Sequence, residues 1–395
     1  MKTETRTPPR RSLPVFFLLS AVLLIFLSLR SHWSDSELWS LGISRFFPFG
    51  SDVSTHYKPL FSALLRLPYF FNLTNADTLH LARLIFAALA FGSLVLFFIL
   101  AKALSRSLFA ALLSSLLLVS SPLFLSQSYQ LRSDLLAMFF QLLGLVHFLR
   151  RPPKPPQDSS WVRHEWGGFL IHFALLLSTP KGVFHFLVNA VFVWLALGAE
   201  GRRQNRIYLW KTFGLPLGGF VLLAFWKHTE FSSAVQFFVS SYREGRDHPG
   251  FFSKGSSLYV LKFLRQHWTL FVLSIGSVLV LRKKTLPISK PLAAASLLGL
   301  FFIFCHSDRL PFFIYSLMPL FVMFTGLTSW AAWNALSLSR RRSAFVPLAL
   351  LTLWLAVRVG TVTFELATSE SNRSQIDSQN IIHQYLSERP GTLYY

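Results

Sequence analysis

Apolar and polar positions along this chain fall into long blocks rather than into a short alternation. A membrane-crossing helix needs about 20 predominantly apolar residues. Blocks of that kind lie near 13–30, 79–100, 108–126, 134–150, 164–178, 183–199, 212–227, 266–281, 291–305, 312–335 and 344–360. These roughly eleven blocks predict an all-α polytopic membrane protein. The first block carries no small-residue cleavage site and is followed by further spans, so it reads as a retained span and not a signal peptide. One block departs from the rest. Gly167 to Gly198 is apolar almost throughout, and one helix of that length would measure about 48 Å, against a hydrocarbon core of ~30 Å. Thr179-Pro180-Lys181-Gly182 interrupts it near the middle. Either half is short for a full crossing, the first especially, which predicts a break below the outer surface, in a protein-lined or wet cavity.

The polar connections then set orientation. One alternating set carries Lys2, Arg6, Arg10 and Arg11; Lys102 and Arg106; Arg150, Arg151, Lys154 and Arg163; Arg202, Arg203, Arg206 and Lys211; Arg282, Lys283, Lys284 and Lys290; and Arg340 to Arg342. By the positive-inside rule this set is cytoplasmic, with the N-terminus inside and the C-terminal tail outside. The formal charge of +21 is therefore mostly a topology signal with affinity for anionic headgroups, and nucleic-acid binding is not called for. The outer connections carry mixed charge: Asp35, Glu37, Asp52, His56, Lys58, Arg83, Arg132, Asp134, Lys181, His306, Asp308 and Arg309. Two are long, about residues 31–78 and 228–265, which puts any active site at the outer face. Composition agrees with a membrane class: 52% of residues are hydrophobic and 14% charged, where soluble domains hold about 25% charged. The single cysteine, Cys305, excludes an internal disulfide and reads as a small core residue.

Five outer segments hold candidate chemistry, each with a structural alternative. In "SHWSDSELWS", Ser34-x-x-Glu37 matches a capping box for an interfacial amphipathic helix; Asp35 is the carboxylate that box leaves unused. In "STHYKPLFSALL", His56, Tyr57 and Lys58 precede Pro59, which suits a turn entering a helix. Lys58 beside His56 and Tyr57 suits a phosphate, or else an interfacial anchor. In "QLRSDLLAMFF", Asp134 either caps a helix N-terminus or serves the cavity, with Arg132 as its natural partner. In "LLLSTPKGVFHFL", a lysine at the break is costly and requires an anionic partner. In "CHSDRLPFFIYSLMPLF", His306 and Arg309 occupy a short outer loop, Pro311 opens the next span, Pro319 lies within it, and Tyr315 sits about one turn inside. Arginine there suits bidentate phosphate binding, the alternative being a Ser307/Asp308 turn.

Walker A, GxSxG and HExxH motifs are missing from the sequence, and the outer histidines His32, His56, His80 and His306 are scattered, which argues against a dedicated zinc site. "RRPPKPPQDSS" reads as an irregular cytoplasmic linker. Asn72-Leu-Thr and Asn372-Arg-Ser match glycosylation sequons, which matter only in a eukaryotic secretory pathway. With no nucleotide cradle, carboxylates and cations beside a bilayer suit a donor that is itself a lipid phosphate. Sugar transfer from a polyprenyl phosphate needs a carboxylate to take the acceptor's proton and cations to stabilise the departing phosphate.

The order of these motifs resembles the membrane glycosyltransferases of the GT-C fold, family 39 and its relatives, the protein O-mannosyltransferases and lipid A aminoarabinose transferases. The resemblance rests on the acidic Asp35-x-Glu37 of the first outer loop, Lys58-Pro59-Leu60, Ala82-Arg83-Leu84, Arg132-Ser133-Asp134, Lys181-Gly182, and the H…R…P…P order from His306 to Pro319. It is clear over residues 10–200 and looser over 290–395. It implies a GT-C-like bundle with interfacial helices in the first outer loop, a cavity at the outer leaflet, a polyprenyl-phosphate sugar donor, a lipid, glycan or protein acceptor, and inverting transfer in a bacterial inner (plasma) membrane. It implies Asp35 as catalytic base with Glu37 assisting, and Asp134 as a second catalytic carboxylate. Lys58, Lys181, Arg309, Arg132 and His306 become donor-phosphate ligands, and His56, Tyr57 and Tyr315 line the cavity. It fixes no cofactor; an acidic pair can recruit a divalent ion beside a phosphate. Asp-Ser-Glu replaces the adjacent Asp-Glu of the pattern, which leaves the base open between Asp35 and Glu37. Residues 1–360 read as the transmembrane domain and 361–395 as an outer tail, where "PGTLYY" reads as the opening strand of a further, truncated domain. A lipid-linked saccharide flippase and a non-catalytic assembly subunit are the rival readings.

Overall fold

The computed structural model describes residues 12–30, 58–121, 124–125, 128, 130–150, 159–179, 181–226, 254–281, 289–305, 310–336, 354, 357, 359–361 and 363–364. These residues are helical almost throughout and contain no strand. The helices are α1 (Ser12–Arg30), α2 (Pro59–Arg66), a 3-10 turn (Leu67–Phe71), α3 (Asn75–Ser105), α4 (Leu108–Val119), α5 (Ser133–Leu149), α6 (Ser159–Ser178), α7 (Gly182–Gln204), α8 (Arg206–Leu209), a π-helical turn (Trp210–Gly214), α9 (Leu215–Trp226), α10 (Lys254–Val280), α11 (Ser289–Cys305) and α12 (Leu310–Ala335). Asp77–Ser105, Gly182–Arg203 and Arg206–Trp226 are long and apolar enough to cross a membrane, and shorter apolar helices accompany them. The protein is an all-α integral membrane protein.

Local chemistry explains where the helices start and stop. Pro59 opens α2, as its fixed φ and missing N–H allow at a first helical position. Thr74 caps α3 by accepting from the Asp77 amide at 3.2 Å, and Ser107 caps α4 through the Ala110 amide at 3.3 Å. Inside the helices, hydroxyls turn back onto the carbonyl four residues earlier, as Ser28 does to Leu24 and Thr325 to Phe321, so no hydroxyl proton of these is left facing hydrocarbon.

Packing follows the two requirements of a lipid environment. Outward faces stay apolar: Leu18 and Val22 on α1, Leu222 and Phe225 on α9, and Ile275 and Leu279 on α10 are exposed, where lipid solvates them. Inward, α3 packs on α1, α4 and α5, and α12 packs on α4, α10 and α11. Small residues set the closest approaches. A Cβ at Gly326 of α12 would run into Ser114 of α4, and one at Gly92 of α3 would press on the Phe139 ring. A second layer holds α5, α6 and α7 against one another, with α2 laid on α6 and α9 on α6. This second layer carries the polar residues.

Two expectations need correcting. The halves of the broken 167–198 block are longer than the apolar pattern indicated: α6 runs back to Ser159 and α7 on to Gln204. The predicted block at 164–178 opens on two polar residues, His164 and Glu165. Both are accommodated in the bundle, His164 stacked on His147 at 3.8 Å between ring centroids and Glu165 paired with Lys211 at 2.6 Å. Arg83, read as an outer-connection charge, is instead fully buried in α3. The interfacial helix after Ser34 and the tail 365–395 lie outside the described residues.

Candidate active site

Three chain segments meet at one end of the second layer: the N-terminus of α5, the C-terminus of α6 with the Thr179–Lys181 break, and the N-terminus of α7. Helices α5 and α7 run side by side in the same direction, with Asp134 beside Lys181 and Gln141 beside His185, and α6 packs against both in the opposite sense. Asp134 sits in the first turn of α5 and Lys181 at the N-cap of α7. The Lys181 Nζ lies 3.3 Å from both carboxylate oxygens of Asp134, whose side chain is 7% exposed against 21% for the lysine. A buried charge is tolerated when it is paired, and Asp134 is the anionic partner the lysine requires. The expected pairing of Asp134 with Arg132 is not made: the Arg132 Nε donates to Gln130 Oε1 at 3.1 Å. Arg132 holds extended backbone at the N-cap of α5.

Gly182 is dictated by the same turn. A Cβ there would collide with the Leu175 carbonyl of α6. Only glycine lets the chain reverse this tightly after Lys181. Lys58 sits at the start of α2, which packs on α6; its Nζ lies 5.7 Å from the Phe61 ring centroid.

Below the pair, a line of buried polar side chains continues between α5, α6 and α7. His185 Nδ1 is 2.8 Å from Gln141 Oε1. Asn189 Nδ2 donates to the Gln141 carbonyl at 3.1 Å and lies 3.4 Å from His172 Nε2, while His172 Nδ1 is 2.9 Å from the Gly168 carbonyl. All four side chains are buried. A Cβ at Gly144 would press within 3.0 Å of His172 and 3.1 Å of Asn189, so a glycine keeps this crossing open. Among the described residues, Gln141 Nε2 and Asn189 Oδ1 meet no hydrogen-bond partner. Further along, His147 Nε2 is 2.8 Å from the His164 carbonyl, and the Glu165–Lys211 pair closes the line. In hydrocarbon such bonds fix helix register, each contributing about 0.6–2 kcal/mol.

The sequence reading passed over Gln141, His172, His185 and Asn189, because each is a single polar residue in an apolar run. A signal was nevertheless present: Lys181, His185 and Asn189 recur every four residues and Asp134 and Gln141 are seven apart, the spacing of one helix face. Asp35, Glu37, His56, Tyr57, His306 and Arg309 lie outside the described residues, as does the side chain of Tyr315, whose backbone is in the first turns of α12. Among the described residues, no group of three or more His, Cys, Asp or Glu side chains gathers to hold a metal ion.

No family model and no curated protein matches the sequence. Solved structures do match its fold. ArnT from Cupriavidus metallidurans bound to undecaprenyl phosphate superposes with a TM-score of 0.61 at 16% identity, covering 91% of this chain and 72% of that one. The fold is the GT-C fold. Apo ArnT gives a TM-score of 0.60 at 15% identity over 86% of this chain. The chain spans 63% of the length of apo ArnT. The GT-C oligosaccharyltransferase AglB from Archaeoglobus fulgidus, in complex with an inhibitory peptide and a dolichol-phosphate, gives 0.53 at 15% identity, covering 91% of this chain and 56% of that one. At such identities the likeness concerns the fold, and residue roles have to be argued from this chain's own geometry.

Proposed function

We propose that this protein is a membrane glycosyltransferase that moves a sugar from a polyprenyl-phosphate donor onto an acceptor hydroxyl at the outer face of a bacterial inner membrane, with the N-terminus cytoplasmic. The buried Asp134–Lys181 pair at the meeting point of two helix N-termini carries this reading. Lys181 is the more exposed partner of the two. The first turns of α5 and α7 add their positive dipole ends. Together these suit a phosphate on a lipid. Two solved GT-C structures hold such a lipid, undecaprenyl phosphate in ArnT and dolichol-phosphate in AglB, which supports the same class of donor here.

In the reaction, a carboxylate takes the proton of the acceptor hydroxyl. The acceptor oxygen bonds to the anomeric carbon from the face opposite the phosphate. The bond from that carbon to the phosphate oxygen breaks, the electron pair leaves with the lipid phosphate, and the anomeric configuration inverts. Asp35 is the assigned base, with Glu37 holding the helix that presents it. Lys181 and Lys58 stabilise the leaving phosphate, with Arg309, Arg132 and His306 as further ligands. Asp134 acts as counter-charge to Lys181 and keeps it in place between turnovers.

The test is comparative mass spectrometry of glycolipids and glycans from cells with and without the gene, followed by assay of the purified protein with the donor so named. Asp35→Asn should abolish transfer and leave membrane insertion intact; Lys181→Met should weaken donor binding more than acceptor use. Movement of lipid-linked sugar across a bilayer with no new glycosidic bond would replace the transferase reading with a flippase.

A further inference from the structure

The far end of α7 holds a second site. Lys181 and Arg202 are separated by about 30 Å of helix at 1.5 Å per residue, so this end lies at the opposite membrane face from the Asp134–Lys181 pair. Gly198 breaks α7 there, with φ of 62° and ψ of −176°, a conformation open essentially to glycine alone. In an unbroken helix, residues eight apart are separated by about 12 Å along the axis. The break lets Arg202 fold back instead: its Nη1 donates to the Trp194 carbonyl at 3.0 Å and its guanidinium stacks 4.4 Å from the Trp194 ring. Across from it, the π-helical turn Trp210–Gly214 displaces Trp210, and a Cβ at Gly214 would strike its indole. Between the two irregular segments lies a cavity of about 560 Å³ with Trp194 and Trp210 among its walls and Arg202, Arg203 and Arg206 around it.

Its three arginines outnumber the one acid of the segment, Glu200. Lys211 nearby is neutralised by Glu165 at 2.6 Å, whereas among the described residues no carboxylate pairs with Arg202, Arg203 or Arg206. The positive-inside rule accounts for basic residues at this face, but it asks for charge and not for a concave, mainly apolar cavity. Trp194, Ile207 and Trp210 are exposed, so the apolar part is continuous with the lipid-facing surface of the bundle. Three guanidiniums over an apolar, aromatic-walled cavity at a membrane face complement a molecule with a phosphate head and hydrocarbon tails.

We propose that this cavity binds an anionic phospholipid of the leaflet opposite the candidate active site, its phosphodiester held by Arg202, Arg203 and Arg206 and an acyl chain lying along Trp194 and Trp210. The site does not depend on the transferase reading. It is tested on the full chain, purified in detergent, by native mass spectrometry with phosphatidylglycerol, phosphatidylcholine, a polyprenyl phosphate and inorganic phosphate added in turn. Phosphatidylglycerol should bind in preference to phosphatidylcholine. Binding should fall about tenfold or more, as expected for losing charge-assisted hydrogen bonds, in R202Q/R203Q/R206Q. The same loss is expected in Ala199→Trp, which fills the cavity without changing charge. The R202K/R203K/R206K variant, which preserves charge and insertion, should retain part of the binding. The equally charged control R340Q/R341Q/R342Q should bind as the parent does. Equal binding of the two phospholipids, undiminished binding by Ala199→Trp, or an equal loss in the control would overturn the site. Preference for the polyprenyl phosphate, or for inorganic phosphate without lipid, would overturn its occupant.

Discussion

The two ends of α7 treat positive charge in opposite ways. At the N-terminal end a single lysine is largely buried and held by one aspartate at 3.3 Å. At the C-terminal end three arginines stand around an open cavity with no carboxylate partner among the described residues. A charge taken out of water has to be compensated within the fold, and the compensation fixes its position. A charge left at the interface can wait for a partner of its own choosing. One end therefore has the precision that chemistry on a single phosphate requires, and the other the tolerance suited to a lipid that comes and goes.

Breaking the buried pair should have the largest effect. Asp134→Ala removes the buried carboxylate beside the Lys181 ammonium and should cost about 3–5 kcal/mol, read as a fall in the unfolding temperature in detergent. Replacing both partners, D134L/K181M, should recover most of that stability and none of the donor binding. A double variant as unstable as the single one would show that the loss does not come from an uncompensated charge.

Next comes the packing below the pair. Gly144→Leu forces a side chain into His172 and Asn189 and should cost about 1–3 kcal/mol. It should also weaken donor binding at the break, because the α5–α7 register places Lys181. Unchanged binding in a destabilised variant would disconnect the polar line from the site. Gln141→Leu removes one acceptor from His185 and should cost about 0.6–2 kcal/mol in the same measurement. The smallest effect belongs to the open end: in detergent without added lipid, R203Q/R206Q, which leaves the Arg202–Trp194 contact in place, should stay within about 0.5 kcal/mol of the parent, as surface substitutions do. A large loss there would mean that these arginines serve the fold and not a ligand.

The chain announced the break at Lys181 because Thr-Pro-Lys-Gly interrupts an apolar run too long for one span, and physical necessity then required an acid nearby. It did not say which acid. Arg132 is two residues from Asp134 and Lys181 is 47 away, yet the distant partner is the one that pairs. Likewise nothing in the apolar pattern said what would hold Glu165, which is buried in α6 and met by Lys211, 46 residues away, at 2.6 Å.

The amino-acid order by itself determined the class, an all-α membrane protein, because the bilayer demands about 20 apolar residues per crossing and satisfies backbone groups only within helices. It also determined the principal chain break and the residue types able to hold a phosphate. Only the tertiary structure decided which charges meet, which polar residues line up across α5, α6 and α7, and where a cavity opens at the far face. Those depend on distances between segments tens of residues apart, and a hydropathy pattern carries no such distance. Asp134 and Lys181 are each readable as a helix-end residue in one dimension; only their closure to 3.3 Å in three makes them a site.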